Sequence, residues 1–238
     1  MRLYSQAERP DLLQRRDDLG ATWDEFMHHD AVASVCWDRQ YEEFPDLQLY
    51  LVDDADRLIA ESNAVVIPFG PDELPDEGWD AALEQAFEGR PAKAVSAIAI
   101  SVGVDHRGEG LSRTMLDAMR KTVAARGLSD LVAPVRPSLK HRYPLTPIER
   151  YVEWRREDGQ LLDPWLRVHE SAGAKLIRVA HVSMRISGTV AQWEDWTKMV
   201  FPETDSYVVP GALVPVEIDL ERDEGVYVEP NVWMHHRV

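Results

Sequence analysis

The sequence has a single cysteine, Cys36, among its 238 residues. One thiol cannot form an intrachain disulfide, so packing has to stabilise the fold, and Cys36 is predicted to be a small buried apolar residue. The longest apolar run, residues 95–104, is too short to cross a bilayer. Charged residues interrupt the N-terminal segment where a signal peptide would have its apolar stretch. These absences predict a cytoplasmic protein without a membrane partner.

Positive charge is scarce. Lysine and arginine number 26 against 42 aspartates and glutamates, which gives a net charge of -16. So acidic a surface repels nucleic acid, and we expect no nucleic-acid partner. The stretch 105–156 is an exception, with eleven basic side chains against six acidic ones. Two interpretations stay open for it: a site for a small polyanion, or a solvated helix face that carries arginines.

Several familiar catalytic and metal-binding patterns are missing. No GxSxG elbow for a serine nucleophile occurs. The acidic turn 53–57 lacks the glycine and the glutamate of a calcium loop. His235 and His236 are adjacent near the C-terminus, without zinc-ligand spacing, and are predicted to be solvated. We therefore expect no metal site.

Hydrophobic periodicity predicts alternating strands and helices along the chain. The expected helices are 21–37, which Thr22 would cap, then 79–87, 111–126, 148–156, 163–172 and one that begins at Thr189. The expected strands are 47–52 and 58–68, which form a hairpin, then 93–104, 131–133, 175–186, 207–220 and 226–233.

The informative segment is the turn between the apolar strand 93–104 and the helix 111–126. It contains Gly108 and Gly110 directly before the helix. Glycines allow close backbone approach, and the free amides of a helix N-terminus bind phosphate. A P-loop would need a lysine that is absent here, and a dinucleotide fingerprint would need a third glycine where Arg113 stands.

The residues Arg107-Gly108-Glu109-Gly110-Leu111-Ser112 fit the pattern [Q/R]-x-x-G-x-[G/A]. This segment resembles motif A of the GNAT acyltransferase superfamily, and the order of predicted elements around it agrees. The resemblance implies an α/β fold with a mixed, mostly antiparallel sheet flanked by helices. It also implies a splayed parallel strand pair and extra C-terminal strands. We expect one domain over 1–238, with a core of about 20–185 and an extension of about 186–238.

The resemblance also implies a donor site for acetyl-CoA or another acyl-CoA. The loop from Arg107 to Ser112 would bind the pyrophosphate, and Arg113 would meet further phosphates. Backbone groups of the strand end would pair with the pantetheine arm. The complete set implied to contact the cofactor is Val102, Gly103, Val104, Arg107, Gly108, Glu109, Gly110, Leu111, Ser112 and Arg113.

His169 occupies the place where many GNAT enzymes have a tyrosine, four residues before a glycine. The resemblance implies that it protonates the leaving thiolate; the alternative is a helix histidine with a structural role. A similar histidine occurs in GNAT-like domains that load polyketide synthases. Those domains use a threonine near the equivalent of Val135, so valine here disfavours decarboxylation. Glu229 is one candidate for a general base.

Three functions follow as alternatives. The first is an N-acyltransferase that uses acetyl-CoA and a small-molecule amine. The second is an S-acyltransferase that loads an acyl carrier protein, and the third is a non-catalytic acyl-CoA binder. The segment 134–162 is expected either to cover the acceptor side of the slot or to pack on the C-terminal strands. Homodimerisation stays open.

Overall fold

The computed structural model describes residues 1–20 and 23–238, and it confirms the predicted mixed α/β architecture. The strands are β1 Arg2–Ser5, β2 Leu49–Val52, β3 Leu58–Ile67, β4 Ala94–Val102, β5 Asp130–Val135, β6 Lys175–Gly188, β7 Asp205–Tyr207, β8 Val216–Asp219 and β9 Glu224–Arg237. The α-helices are α1 Ala31–Cys36, α2 Arg39–Glu43, α3 Gly78–Gln85, α4 Leu111–Ala125, α5 Ile148–Tyr151, α6 Pro164–Ser171 and α7 Val190–Thr197. Short 3-10 helices cover Pro10–Leu19, Glu25–His29, Val104–His106 and Lys140–Arg142.

The predicted single helix over 21–37 is wrong. Asp30 is extended, with φ -66° and ψ 131°, and it separates the 3-10 helix Glu25–His29 from α1. Its carboxylate accepts a hydrogen bond from the Ala33 amide at 2.8 Å, so a capping aspartate starts a new helix. The Thr22 cap that the sequence suggested lies outside the described residues. Among the described helices, none has the length and apolar character needed to span a membrane.

The strands form one sheet in the order β1-β2-β3-β4-β5-β9-β8-β7, and β6 pairs with β9 as well. β9 is long enough to have two partners on one edge: β5 pairs with its residues 232–237 and β8 with its residues 224–226. β6 runs along the other edge. The last strand therefore lies inside the sheet, while only the β7–β8 hairpin extends it.

β4 and β5 are parallel and separate soon after they start. Their pairing consists of Val95 with Leu131 and Ser96 with Val132, whereas β4 continues to Val102 and β5 to Val135. The register of β4 against β3 also shifts between Asn63 and Ala64, so Ile98 forms a bulge just past the last β4–β5 pair. The predicted splayed pair is thus present, with its open end toward the C-terminal ends of both strands.

Alternate side chains of β9 lie on opposite faces of the sheet. His236 contacts α6 on one face, whereas Trp233 donates a hydrogen bond from Nε1 to Pro75 O, before α3, on the other. α4 joins α6 on the first face, because Arg120 Nη1 donates to Ala172 O at 3.2 Å. We call these two surfaces the α4/α6 face and the α1/α3 face.

The C-terminal half is anchored by a buried tryptophan on α7. Trp193 is fully buried, and a Cβ on Gly225 would lie 2.1 Å from its ring. Thr189 and Gln192 form a capping box at the start of this helix, where the sequence predicts its beginning. Val200 lies beyond the end of α7 and is exposed.

The close approach of Gly225 to Trp193 leads to a stability prediction. Gly225→Ala is expected to lower the free energy of unfolding by about 3 kcal/mol, because the methyl group overlaps a ring that is enclosed in the core. Chemical denaturation would measure the change. Gly70→Ala is the control, since no atom lies within 4 Å of its Cβ position, and it should change stability by less than about 1 kcal/mol. Equal effects of the two changes would contradict this packing.

Candidate active site

The glycine turn after β4 is open, as its sequence predicts. Gly108 and Gly110 have φ values of 87° and 79°, which a side chain would strain. A Cβ at either position would meet no heavy atom within 4 Å. The space directly outside these two glycines is therefore unfilled by the described residues.

Free backbone amides line the turn and the start of α4. The Glu109 amide donates to His106 O at 3.4 Å, and the Arg113 amide donates to Gly110 O at 3.1 Å. Gly110 caps α4 without any side-chain hydrogen bond. In residues 1–20 and 23–238, no acceptor is found for the amides of Arg107, Gly108, Gly110, Leu111 and Ser112. Five free donors at the positive end of a helix dipole suit a group with several anionic oxygens.

The two arginines predicted to bind phosphate differ in the partners of their side chains. Arg107 is exposed and forms no ion pair with any described residue. Arg113 is bound to Asp117 through Nε at 2.9 Å and reaches Ser171 Oγ at 3.4 Å. His106 Nδ1 lies 3.2 Å from Glu109 Oε2. Arg107 is therefore the freer of the two predicted phosphate-binding arginines.

The edge of β4 that faces the splay has unpaired backbone groups. The Gly103 amide donates to Ile59 O on β3 at 2.9 Å. Because backbone groups alternate along a strand, those of Val102 face the opposite edge, where β5 has already separated. Val104 starts the next 3-10 turn and is about half exposed. The geometry leaves room at Val102 for an extended chain to pair with the strand.

His169 lies on the α4/α6 face, near the closed end of the splay. α6 is started by Asp163, whose Oδ1 accepts from the Trp165 and Leu166 amides. The His169 ring is buried, and its Nδ1 lies 2.9 Å from Nε2 of His236. His236 pairs with Leu131, which in turn pairs with Val95 of β4.

The prediction that the terminal histidines are solvated is wrong. His236 is 1% exposed because β9 is inserted between β5 and β6, and His235 Nε2 lies 2.8 Å from Asp130 Oδ1. The outer nitrogens of the buried pair, His169 Nε2 and His236 Nδ1, have no hydrogen-bond partner among the described residues.

Both buried imidazoles are held in the neutral form. Desolvation, with a smaller contribution from His236, lowers the pKa of His169 to about 3. Desolvation and the nearby Arg120 lower the pKa of His236 to about 4. One ring must therefore donate to the other, and the tautomer of His169 depends on that choice.

Glu229 lies on the opposite, α1/α3 face, and it is already bonded to three donors. Its carboxylate accepts from Arg136 Nε at 2.8 Å, from the Tyr227 hydroxyl at 2.7 Å and from Asn231 Nδ2 at 2.9 Å. This carboxylate is fully buried and paired with a guanidinium, and three of its four lone pairs already accept hydrogen bonds, so it is poorly placed to take a proton from an incoming amine. This arrangement argues against Glu229 as the general base.

A second pair of carboxyl groups lies on the same face. Asp30 caps α1 through Oδ1, and Asp80 of α3 accepts from the Arg185 amide through Oδ2 at 3.1 Å. Their other oxygens, Asp30 Oδ2 and Asp80 Oδ1, are buried, and the two carboxyl groups hydrogen-bond to each other, which requires one shared proton. The two groups interact with one another and with Glu229.

The segment 134–162 contacts both the site and the C-terminal part. Arg136 directly follows β5 and links Glu229 to Gly211 O. Lys140 is fully buried, and its Nζ donates to Tyr143 O and Leu213 O at 2.9 and 2.6 Å, while burial lowers its pKa to about 8. The start of the segment thus borders the α1/α3 face, and Lys140 ties it to the loop before β8.

The sequence predicts the glycine turn and His169 as site residues, but it does not predict the contact of His169 with His236 or the contact of Asp30 with Asp80. No local motif marks these residues. The available signal for the aspartates was the run of small and apolar residues that directly follows each of them, Ala31–Cys36 after Asp30 and 81–83 after Asp80. Among the described residues, no group of three histidine, cysteine, aspartate or glutamate side chains is placed to hold a metal ion.

A curated relative matches nearly the whole chain. The sequence is 31% identical to the arginine N-acetyltransferase avaD of Aspergillus versicolor over 271 aligned positions, which cover 99% of this chain and 93% of the relative. No protein-family profile matches the sequence.

Two solved structures share the fold along their full length. The loading GNATL domain of CurA from Lyngbya majuscula superposes with a TM-score of 0.64 at 18% identity, covering 99% of this chain and 96% of that one. The GphF GNAT-like decarboxylase, solved with isobutyryl-CoA, also gives 0.64, at 16% identity and with 100% and 99% coverage.

Proposed function

This chain belongs to the GNAT acyltransferase superfamily, and from that premise we propose that it transfers an acetyl group from acetyl-CoA to a small-molecule amine. The observation that supports this most strongly is the open glycine turn with five free amides at the start of α4. It lies next to the splay between β4 and β5, so a diphosphate and a thioester can be bound at once.

The donor enters from the glycine turn. The amides of the turn bind the pyrophosphate, and Arg107 adds a positive charge that no carboxylate in the described chain neutralises. The pantetheine arm then pairs with the free edge of β4 at Val102 and leads the thioester into the splay.

The chemical step is a direct transfer. The neutral amine attacks the thioester carbonyl, backbone amides of β4 stabilise the oxyanion, and the carbon–sulfur bond breaks. The leaving sulfur takes up the proton that the amine loses, so amide and free thiol form without an oxidant or a metal. His169 Nε2, which has no partner, donates a hydrogen bond to that sulfur.

A panel assay tests the proposal. We expect free thiol to appear when the protein is mixed with acetyl-CoA and a panel of small basic amines, with the acetylated amine identified by mass spectrometry. A phosphopantetheinyl carrier protein is assayed in parallel. If acyl mass appeared on the carrier protein alone, the acceptor would be a thiol and not an amine. If acetyl-CoA bound tightly without any product, the protein would be a non-catalytic binder.

A further inference from the structure

We infer that Arg120 fixes the direction of the hydrogen bond between His236 and His169, so that His169 carries its hydrogen on Nε2. Arg120 is thus a positioning residue that acts through His236. This inference rests on the proposed function, in which His169 Nε2 donates to the leaving sulfur, and it names the group that prepares this donor. Three observations support it: the placement of the guanidinium, the unpaired nitrogens, and the charges around His236.

The guanidinium of Arg120 is held between the two elements that carry the histidines. Its Nη1 donates to Ala172 O at 3.2 Å, directly after α6, and its Nη2 donates at 3.5 Å to the carbonyl oxygen of Arg237, the residue after His236. The Ala172 amide in turn donates to His169 O at 3.1 Å. Arg120 therefore lies beside the backbone of both histidine-bearing segments, on the α4/α6 face.

Two nitrogens in this region are buried and have no hydrogen-bond partner among residues 1–20 and 23–238: Arg120 Nε and His236 Nδ1. Nδ1 is the nitrogen on the backbone side of the His236 ring, whereas Nε2 makes the contact with His169. The guanidinium can only donate hydrogen bonds, but an imidazole nitrogen holds either a hydrogen or a lone pair. A cation on the backbone side of the ring therefore favours the lone pair at Nδ1 and disfavours an N–H there.

A lone pair at His236 Nδ1 determines both of the other hydrogen positions. Each neutral ring has one N–H, so His236 then carries it on Nε2 and donates it to His169 Nδ1, 2.9 Å away. His169 has to accept there, and its own hydrogen lies on Nε2. The opposite direction would place the N–H of His236 beside the guanidinium and would leave His169 Nε2 without a hydrogen to donate.

The other charged groups around His236 do not cancel this effect. After desolvation, Arg120 is the largest cause that lowers the pKa of His236 to about 4. His235 on β9 and Arg113 on α4 act in the same direction, and Asp117 on α4 opposes them more weakly. The ring therefore stays neutral at physiological pH, and the remaining choice is between its two tautomers.

Nitrogen-15 NMR of histidine-labelled protein tests the inference without turnover. In a neutral imidazole the N–H and the bare nitrogen resonate far apart, so each tautomer is identified directly. We expect both His169 and His236 of the native protein to carry hydrogen on Nε2. Arg120→Met keeps the length of the side chain but removes its charge, and it should move the resonances of both rings toward the other tautomer. Hydrogen on Nδ1 of either ring in the native protein would overturn the inference, whether or not the variant folds.

Arg120→Lys separates the charge from the packing of the guanidinium. Lysine keeps the positive charge and should retain the native tautomers and kcat within about threefold, whereas Arg120→Met should lower kcat about tenfold. Neither change should alter the affinity for coenzyme A, because Arg120 lies in the middle of α4 and not in the glycine turn. Arg126→Met is the matched control, since Arg126 follows the same helix and pairs with Asp46 through Nε at 2.7 Å. It should leave kcat and the ring resonances native.

The outcomes separate this inference from the proposed function. If Arg120→Met leaves the resonances of both rings native, or if the lysine and methionine variants lose activity equally, Arg120 has only a structural role and the inference fails. If the resonances change as expected but no amine is acetylated, the proposed function fails, while the assignment of the tautomers to Arg120 stands.

Discussion

Ser112→Asp is expected to weaken coenzyme A binding by about 100-fold without lowering stability. Ser112 is the second residue of α4 and lies among the free amides of the glycine turn. A carboxylate there bonds those amides and faces the helix dipole, so the protein itself occupies the anion site. Two like charges about 4 Å apart in a partly screened environment repel by about 4 kcal/mol, which is more than enough for this loss.

Isothermal calorimetry with coenzyme A measures the affinity, and thermal melting measures stability. Ser112→Asn has nearly the same shape without the charge and should stay within about threefold of the native affinity. The aspartate variant should melt at or slightly above the native temperature, since acidic residues in a first helical turn are stabilising. Native affinity in the aspartate variant would place the diphosphate somewhere else on the protein.

The glycine turn and the two elements around it could be predicted from the sequence because their determinants are local. Two glycines, the apolar strand before them and the four-residue spacing of Leu111, Met115 and Met119 fall within about thirty residues. The structure accordingly has β4, the open turn and α4 close to their predicted bounds. Local sequence determines the strand, the turn and the helix here, so their bounds can be predicted without knowledge of the rest of the chain.

The remaining parts of the site depend on contacts between distant segments. His169 and His236 are 67 residues apart, and they meet only because β9 is inserted between β5 and β6. Asp30 and Asp80 meet because α1 and α3 pack on the same face. Sequence periodicity reports which face of an element is apolar, but it does not report which strands become neighbours. For this reason the sequence predicts a solvated His236, whereas the structure buries it.

His169→Ala is expected to lower kcat by about 100-fold with little change in the Michaelis constant for acetyl-CoA, because a donor to the leaving sulfur acts mainly in the transition state. The neutral ring can donate from Nε2 only if Nδ1 accepts, and His236 Nε2, 2.9 Å away, is the group that can donate to it. In the proposed mechanism, His236 is therefore a positioning residue that fixes the tautomer of His169.

Substitutions at His236 test this dependence. Glutamine retains an N–H that can reach His169 Nδ1 and should keep most of the activity, whereas His236→Leu should lose more than about tenfold in kcat. The double variant His169→Ala/His236→Leu should be no slower than His169→Ala alone, because the two histidines act together as one functional unit. Because burial lowers the pKa of His169 to about 3, kcat of the native enzyme should show no inflection near pH 6.5. Additive losses, or an inflection at that pH which His169→Ala removes, would mean that His169 acts as a free, titrating acid and that His236 only fills space.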